Sequence, residues 1–178
     1  MLRANEYRTH TCGELRESDI GKQVKVSGWL ENVRDHGGVK FADLRDQYGI
    51  VQVVVEDEAI LEGIPKESAI RVTGVVTERD EDTINKKLDT GFVEIEADTI
   101  TVLGKVRELL PFEVTSSKET KEELRLKYRF LDLRNVEVQK NIILRSQVIS
   151  FIRNKMTELG FLEIQTPILT SSSPEGAR

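Results

Sequence analysis

The sequence predicts a mainly β domain over its first 104 residues, followed by a region that mixes helix and strand. Three observations support this prediction. Apolar and polar residues alternate with period two in five runs, and each run is bounded by turn-forming residues, as is typical of half-buried strands. A single helix-like segment interrupts the runs, between the third and the fourth. Beyond residue 104 the apolar spacing changes to that of a helix.

Each predicted strand begins after a turn signal in the sequence. The five strands are expected to begin at Gln23, Val39, Ile50, Ala69 and Phe92. A helical turn is expected within DEAILEGIPKES, residues 57–68. Five strands with a helical insert after the third match the order of the OB-fold, a five-stranded Greek-key barrel. An SH3-like barrel or half of a β-sandwich would also fit the pattern.

One face of the predicted barrel carries side chains suited to single-stranded RNA. If Ala42 and Leu44 point inward, Phe41 points outward, and the same alternation in the third strand turns Gln52 outward. Arg34 lies in the predicted loop RDHGG, and Arg79 begins the loop RDEDTINKKLDTG. Proteins bind splayed RNA bases by stacking them on aromatic rings and hydrogen-bonding to their edges. These residues therefore predict an RNA-binding platform.

Charge and composition limit the classes of function. The chain has 26 basic and 31 acidic residues, and residues 1–110 contain 15 basic against 22 acidic residues. Bulk attraction to a polyanion is thus excluded, and any RNA contact must come from a local patch. The single cysteine and the two histidines have no metal-ligand spacing. No apolar run is long enough for a membrane span and no secretory signal is present, so a cytoplasmic protein with no membrane partner is expected.

The second region contains a linker, a helix and a strand in the prediction. Residues 105–135 combine a proline, a serine pair and mixed charges, which is typical of a linker. A helix is predicted where Ile149, Ile152, Met156 and Leu159 recur at helical spacing, with Gly160 as its C-terminal cap. The following FLEIQTPIL is predicted to be a strand that ends near Pro167.

Three segments resemble a known family in both sequence and order. They are GWLENVRDHGGVKFADLRD, LRLKYRFLDLR and GFLEIQTPILTSSSPEGAR. Together they resemble the N-terminal part of bacterial-type aspartyl-tRNA synthetases, which are class II enzymes, and PEGAR at 174–178 is the most specific match. Residues 160–169, with Pro167, resemble motif 1, which forms the homodimer interface in the family. The resemblance implies an OB-fold anticodon-binding domain at 1–104, a hinge at 105–135 and a truncated start of the catalytic domain at 136–178.

The resemblance implies an aspartate–tRNA ligase, which uses ATP and Mg²⁺ to join L-aspartate to the terminal adenosine of a tRNA. Motifs 2 and 3, whose arginines bind the ATP phosphates in the family, do not occur in these 178 residues. We therefore expect this chain alone to be inactive, with no catalytic residue and no bound cofactor, because charge at the α-phosphate would be unstabilised. The alternatives are a stand-alone OB-fold RNA-binding module and an asparaginyl- or lysyl-type ligase.

The family's anticodon residues map onto the platform predicted above. The resemblance implies that a base stacks on Phe41, that Gln52 recognises the central uridine, and that Arg34 and Arg79 contact bases or backbone. His36 and Asp82 match positions linked to discrimination at the third anticodon base. Histidine at the first of them implies a non-discriminating enzyme that accepts both tRNA-Asp and tRNA-Asn.

The PEGAR loop is a lid over bound aspartate in the family. The resemblance therefore assigns Ser173, Glu175 and Gly176 to aspartate binding, with Glu175 contacting the ammonium group of the amino acid. Lids of this kind close over a substrate and complete the site.

Overall fold

The computed structural model describes residues 4–107 and 109–167 of the 178-residue chain. Contacts between residues divide the chain into two units, residues 1–110 and 111–178. The first unit contains all five strands, and the second contains the helices of the C-terminal region. The domain boundaries drawn from the sequence at 104 and 135 stay predictions.

The first unit is a closed five-stranded barrel. Its strands are β1 (Gln23–His36), β2 (Val39–Arg45), β3 (Ile50–Val55), β4 (Ala69–Glu78) and β5 (Val93–Gly104). They follow one another around the barrel in the order β1–β2–β3–β5–β4. The β3–β5 pair is parallel and every other pair is antiparallel. A short 3₁₀ turn at Glu58–Leu61 separates β3 from β4. This is the predicted OB-fold order, so the predicted fold is confirmed.

Strand alternation fills the barrel with small aliphatic side chains. The inward residues of β2 and β3 are fully buried, as predicted: Ala42, Leu44, Val51, Val53 and Val55. The long strand β1 pairs with β4 through its first half and with β2 through its second half, with a register shift between Leu30 and Asn32. Cys12 and Leu15, which precede β1, complete this core. Burial raises the pKa of the Cys12 thiol, and the neighbouring carboxylate of Asp46 adds to the effect.

The loop between β1 and β2 is shorter than the sequence predicts. Arg34 and His36 belong to β1, and Arg34 pairs with Phe41 across the ladder. Only Gly37 and Gly38 form the turn, with φ of 66° and 101°. Positive φ at both central residues is the geometry of the favoured two-residue hairpin, which glycine adopts without strain. Because the strands extend to the turn, Arg34 is positioned by strand pairing instead of by a flexible loop.

The two ends of β2 differ on the outward face of the barrel. At the end near the turn between β2 and β3, Arg45 is buried, and its guanidinium forms ion pairs with Glu31 and Glu67. The same guanidinium lies over the ring of Trp29. These contacts close that end of the face, whereas the other end, around Phe41, is open.

Short helices form the start of the second unit. They are a 3₁₀ turn at Ser117–Glu119, α1 (Glu122–Lys127) and α2 (Arg129–Asp132). The segment predicted as a linker is thus ordered around a buried carboxylate, that of Asp132. This carboxylate accepts hydrogen bonds from the Ser117 hydroxyl at 2.8 Å and the Arg125 Nε at 2.9 Å, and it also pairs with Arg129.

The long helix α3 (Val136–Glu158) is capped at both ends. Asn135 accepts the backbone N–H groups of Glu137 and Val138 and donates to two carbonyls, so it joins the helix to the preceding segment. At the other end the N–H groups of Gly160 and Phe161 bond to the carbonyls of Thr157 and Met156. With φ of 87° at Gly160, this is a Schellman cap, and the predicted cap residue is confirmed.

The prediction of a strand in FLEIQTPIL is wrong for the part of that segment that the structure describes. Residues 161–167 have no regular secondary structure, and Pro167 is exposed. A strand forms only where a neighbouring strand satisfies its N–H and C=O groups, and no strand of the second unit is present among the described residues to do so. No helix of the described residues is long and apolar enough to cross a membrane.

Candidate nucleic-acid interface

Side chains from four strands meet on the open end of the outward face. Strand pairing places Phe41 beside Arg34 and Asp43 beside Gln52. The parallel β3–β5 pair then places Gln52 beside Glu94. The result is a continuous polar row across β1, β2, β3 and β5, with the Phe41 ring at its edge.

A pocket of about 450 Å³ opens over this row. Its wall includes five of the residues predicted from the sequence: Arg34, His36, Phe41, Gln52 and Arg79. The remaining wall comes from the outward side of β2 and β3 and from the loop between β4 and β5: Asp43, Ile50, Thr83, Asn85 and Leu88. Its volume falls within the range of about 300–1,000 Å³ that is usual for small-molecule sites.

Arg34 is held against the strand surface by two partners. Its Nη2 lies 2.8 Å from Asp43 Oδ1 and 3.1 Å from Gln52 Oε1. Half of its side chain stays exposed, so the guanidinium keeps donors that face solvent and the pocket. The arginine is therefore oriented before any ligand arrives.

Gln52 lies on the outward face, as predicted, but it is only 6% exposed. Its Nε2 donates to Glu94 Oε2 at 2.7 Å, while its Oε1 accepts the bond from Arg34. A primary amide has two N–H groups and two acceptor lone pairs, so one of each is left for a ligand in the pocket. The glutamine is a fixed hydrogen-bonding group and not a solvated surface side chain.

Arg79 is buried at the base of the pocket. Its Nε donates to the Val93 carbonyl at 3.0 Å, and Glu94 Oε2 lies 3.9 Å away. Its Nη2 has no hydrogen-bond partner among the described residues. Burial lowers the pKa of this arginine, partly offset by the charges of Glu94 and Asp43. A buried donor without a partner is costly, and a ligand acceptor would satisfy it.

Two carboxylates that the sequence analysis did not select complete the site. Asp43 and Glu94 neutralise Arg34 and Arg79, and burial raises the pKa of both carboxyl groups despite the nearby arginines. Their outward positions follow from the same alternation that identifies Phe41 and Gln52. The pairing of Glu94 with Gln52, however, joins residues 42 positions apart and has no local sequence signal.

The aromatic edge of the pocket consists of two rings. Phe41 is half-buried, and the imidazole of His36 meets its ring edge-on at a centroid distance of 5.8 Å. An edge-to-face pair of this kind contributes about 0.5–1.5 kcal/mol beyond the area that it buries. One face of an aromatic platform is thereby presented beside the polar row.

Two of the other predicted site residues, Asp82 and Pro167, are described but are not part of the pocket wall. Asp82 is exposed in a 3₁₀ turn at Glu81–Thr83, and the neighbouring Thr83 lines the pocket in its place. Pro167 belongs to the second unit. The predicted lid residues Ser173, Glu175 and Gly176 lie outside the described residues.

Two family models match consecutive parts of the chain. Residues 24–103 match the model described as an OB-fold nucleic acid binding domain. Residues 121–178 match the model described as class II tRNA synthetases of the D, K and N types. The two matches leave the segment between them, residues 104–120, unassigned.

Similar proteins are found in bacteria and in an archaeon. The chain is 54% identical to the aspartate–tRNA(Asp/Asn) ligase of Pelagibacter ubique over 98% of this chain and 30% of that protein. It is 52% identical, with the same coverage, to the aspartate–tRNA ligase of Streptomyces coelicolor. The asparaginyl-tRNA synthetase of Pyrococcus horikoshii, solved with asparaginyl-adenylate, superposes with a TM-score of 0.77 at 25% identity over 94% of this chain and 38% of that one. The chain thus spans about 30% of the length of the curated relatives it matches.

Proposed function

We propose that this chain belongs to the family of class II aspartate–tRNA ligases and that it binds the anticodon of a transfer RNA on the open face of its barrel. The observation that carries the proposal is the convergence of residues from separate segments on one pocket. Arg34, Phe41, Gln52 and Arg79 lie as much as 45 positions apart, yet all of them line it. OB-folds bind oligonucleotides on this same face of strands 2 and 3 and the adjoining loops.

Each part of the pocket suits a different part of a nucleotide. The ring of Phe41 offers a stacking surface, which is worth about 1–3 kcal/mol per base. The free N–H and lone pair of Gln52 suit the edge of a pyrimidine, and the unpartnered Nη2 of Arg79 suits a carbonyl or phosphate oxygen. Because Asp43 and Glu94 offset the two arginines, recognition depends on hydrogen bonds and stacking more than on net charge.

We assign the chain to the tRNA-recognition part of an aspartate–tRNA ligase reaction. In the whole enzyme, ATP and Mg²⁺ would activate L-aspartate, with charge at the phosphates stabilised by the metal. Among the described residues no group of three or more histidine, cysteine, aspartate or glutamate side chains is placed to hold a metal ion. Ser173, Glu175 and Gly176 remain proposed aspartate-binding residues.

We further propose that the whole enzyme is a homodimer that uses the region around Pro167. Apolar side chains just before this proline are strongly exposed: Phe161 by 59%, Leu162 by 83% and Ile164 by 72%. Exposed apolar side chains in a row are typical of an interface. The identity to aspartate ligases favours this family over the asparaginyl and lysyl alternatives, and the match over residues 121–178 disfavours a stand-alone RNA-binding module.

The tRNA specificity that we propose is relaxed at the third anticodon base. His36 lies at the pocket rim against Phe41, where a ring nitrogen can meet a base edge. The name of the Pelagibacter relative specifies both tRNA-Asp and tRNA-Asn, whereas the name of the Streptomyces relative specifies neither. We assign acceptance of both tRNAs to this chain, with His36 as the determinant and Asp82 as a secondary contact from the neighbouring loop.

Binding to short anticodon stem-loops tests both parts of the proposal. Loops with the anticodons GUC, GUU and an unrelated triplet are titrated into the 178-residue chain at two salt concentrations. We expect comparable affinity for GUC and GUU and at least about tenfold weaker binding to the unrelated loop, as expected when bidentate base contacts are lost. Equal affinity for all three loops would contradict anticodon recognition.

A variant at position 36 separates recognition from discrimination. His36→Gln is expected to raise the preference for GUC over GUU while leaving the unrelated loop a poor ligand. If the ratio of the GUC and GUU affinities stays unchanged, His36 is not the determinant of relaxed specificity, although anticodon binding itself would stand.

A further inference from the structure

Residues 5–15 precede β1 and are bonded to it without forming a strand. Their first anchor is on β1 itself. The Thr9 N–H donates to the Lys25 carbonyl at 2.8 Å, and the Thr9 hydroxyl accepts the Lys25 N–H at 2.8 Å. Nearby, the Ser27 hydroxyl donates to the Tyr7 carbonyl at 2.7 Å. Both backbone polar groups of Lys25 are therefore bonded to this segment.

The second anchor of the segment is the turn between β2 and β3. The Cys12 N–H donates to Asp46 Oδ2 at 2.9 Å. The other oxygen of that carboxylate accepts the N–H groups of Tyr48 and Gly49, at 2.7 Å and 3.1 Å. A single carboxylate is thus bonded both to the segment and to the turn. If the segment moved away, the carboxylate would lose one of these three donors.

The backbones of the segment and the turn also approach each other closely. A Cβ atom on Gly13 would lie 2.1 Å from the Tyr48 carbonyl oxygen, and one on Gly49 would lie 2.7 Å from Gly13 Cα. Both distances are too short for any real Cβ atom. The closed arrangement therefore needs glycine at position 13, because only glycine allows two backbones to come this near.

Little apolar surface holds the segment in place. Of residues 5–15, only Thr11, Cys12 and Leu15 are buried, whereas every strand of the barrel contains fully buried aliphatic side chains. The ladders between the strands include none of the segment's residues. Opening of the segment would therefore break its two anchors and leave each strand pair intact. Segments with few buried contacts open at a lower free energy than the whole domain.

We propose that residues 5–15 form a latch that opens as one unit while the barrel strands stay paired, and that the closed latch fixes the turn between β2 and β3. Ile50, the residue after this turn, lines the pocket, and its carbonyl accepts the Thr90 hydroxyl at 2.5 Å. Opening of the latch therefore loosens one wall of the pocket without any group entering it. The inference goes beyond the proposed function, because it concerns the free protein and needs no bound RNA.

The single cysteine of the chain reports opening of the latch in the wild-type protein. Cys12 is fully buried, so a thiol reagent such as dithionitrobenzoate labels it only in molecules in which it is uncovered. Below the unfolding transition we expect a labelling rate that hardly changes with urea concentration, because a local opening exposes little surface. A rate that rises from zero urea with the full slope of global unfolding would overturn the proposal.

Two glycine variants test whether contact with the turn keeps the latch closed. The methyl group of Gly13→Ala collides with the Tyr48 carbonyl, so we expect Cys12 to be labelled about tenfold faster, an effect of the size usual for one strained substitution. In Gly104→Ala the new methyl group lies 3.9 Å from the Ala69 Cβ, an ordinary contact, and the rate should not change. Equal acceleration in both variants would overturn the proposal, as would an acceleration in Gly13→Ala that its loss of global stability accounts for.

A change at the other anchor tests whether the latch opens as one unit. Thr9→Val keeps the size of the side chain but removes the hydroxyl that accepts the Lys25 N–H. Hydrogen exchange should then accelerate by the same factor at the Cys12 and Gly49 amides, although neither is bonded to Thr9. Thr99→Val, at an exposed position of β5, is the control and should leave both amides unchanged. Faster exchange at Lys25 alone would overturn the proposal, because the two anchors would then open separately.

Discussion

At the scale of single residues, the proposed binding face combines one apolar platform with neutralised charges. Among the residues that the structure describes, Phe41 is the only phenylalanine, tyrosine or tryptophan in the wall of the pocket, and each arginine there has a carboxylate partner. An uncharged stacking contact persists at high salt, whereas phosphate contacts weaken. The affinity of this site should therefore depend strongly on that one ring.

Replacing Phe41 by leucine should weaken RNA binding while leaving the barrel folded. Leucine keeps apolar contact with the neighbouring strands but offers no flat face to a base. We expect a loss of about 1.4 kcal/mol in binding free energy, which is about tenfold in Kd, measured with the GUC stem-loop by fluorescence anisotropy.

A second exposed aromatic residue serves as the control for this change. Tyr48 is 43% exposed, lies in the turn between β2 and β3 and is not part of the pocket wall. Tyr48→Leu should leave the affinity unchanged. Equal losses in both variants would mean that RNA binds to the barrel without using the Phe41 platform.

The sequence predicts which way a strand side chain faces, because alternation determines it. It does not predict burial that depends on contacts between strands far apart in the sequence. The outward positions of Phe41 and Gln52 follow from the inward positions of their neighbours. The burial of Gln52 and Arg79 does not, because it depends on β5 and on residues 79–92 folding over them. Local periodicity reports which face a side chain occupies, and it carries no information about what covers that face.

At the scale of elements, a predicted strand forms only where a neighbouring strand is present to pair with it. The predicted strands of the barrel all have neighbours, and all of them form. The hairpin of β1 and β2 extends to the two-glycine turn because Arg34 and His36 pair with Phe41 and Val39 across the ladder. Residues 161–167 have strand-like composition but no pairing partner among the described residues, and they stay irregular. Strand propensity is weak without a surface to join.

The stability of the short helices before α3 should depend on pH because of the Asp132 carboxylate. Burial alone would raise the pKa of this carboxyl, but hydrogen bonds from Arg125 and Ser117 and the charges of both arginines lower it. A pKa that is lower in the folded state than in the unfolded state contributes stability above the unfolded value, and the contribution is lost as pH falls through the folded value. Protection of α1 and α2 amides from hydrogen exchange should therefore decrease below the ordinary aspartate pKa.

Asp132→Asn removes the source of this pH dependence. We expect the variant to lose about 2 kcal/mol of local stability at neutral pH, a value limited by the partial exposure of the arginines. Its protection should not change further on acidification. Glu123→Gln on α1 is a suitable control, because Glu123 is exposed and has no hydrogen bond or ion pair with the described residues. If acid lowers protection equally in the Asp132 variant and the wild type, another group causes the effect.

At the scale of the whole molecule, the core and the candidate interface belong to the same unit. Every residue of the main hydrophobic cluster and every residue of the pocket wall lies within residues 1–110. That unit carries 15 basic and 22 acidic residues, so we expect the proposed RNA binding to depend on the pocket and not on overall charge.

Residues 1–110 expressed alone should therefore fold and bind RNA. We expect a cooperative thermal transition and an affinity for the GUC stem-loop within about threefold of that of the 178-residue chain, since no pocket residue is removed. The salt dependence of binding should be equal for the two chains. A folded 1–110 unit that has lost more than tenfold in affinity would show that residues 111–178 contribute contacts of their own.

Side chains of β2 alternate between the proposed binding face and the core, so an insertion or deletion in this strand affects both faces. Deleting or inserting one residue in this strand would move Phe41 and Asp43 into the barrel and turn Ala42 and Leu44 outward, so recognition and folding would fail together. A change of two residues would keep both faces but shift the pocket along the strand by about 6.6 Å. New base preferences can therefore arise here by substitution, while the length of the strand stays fixed.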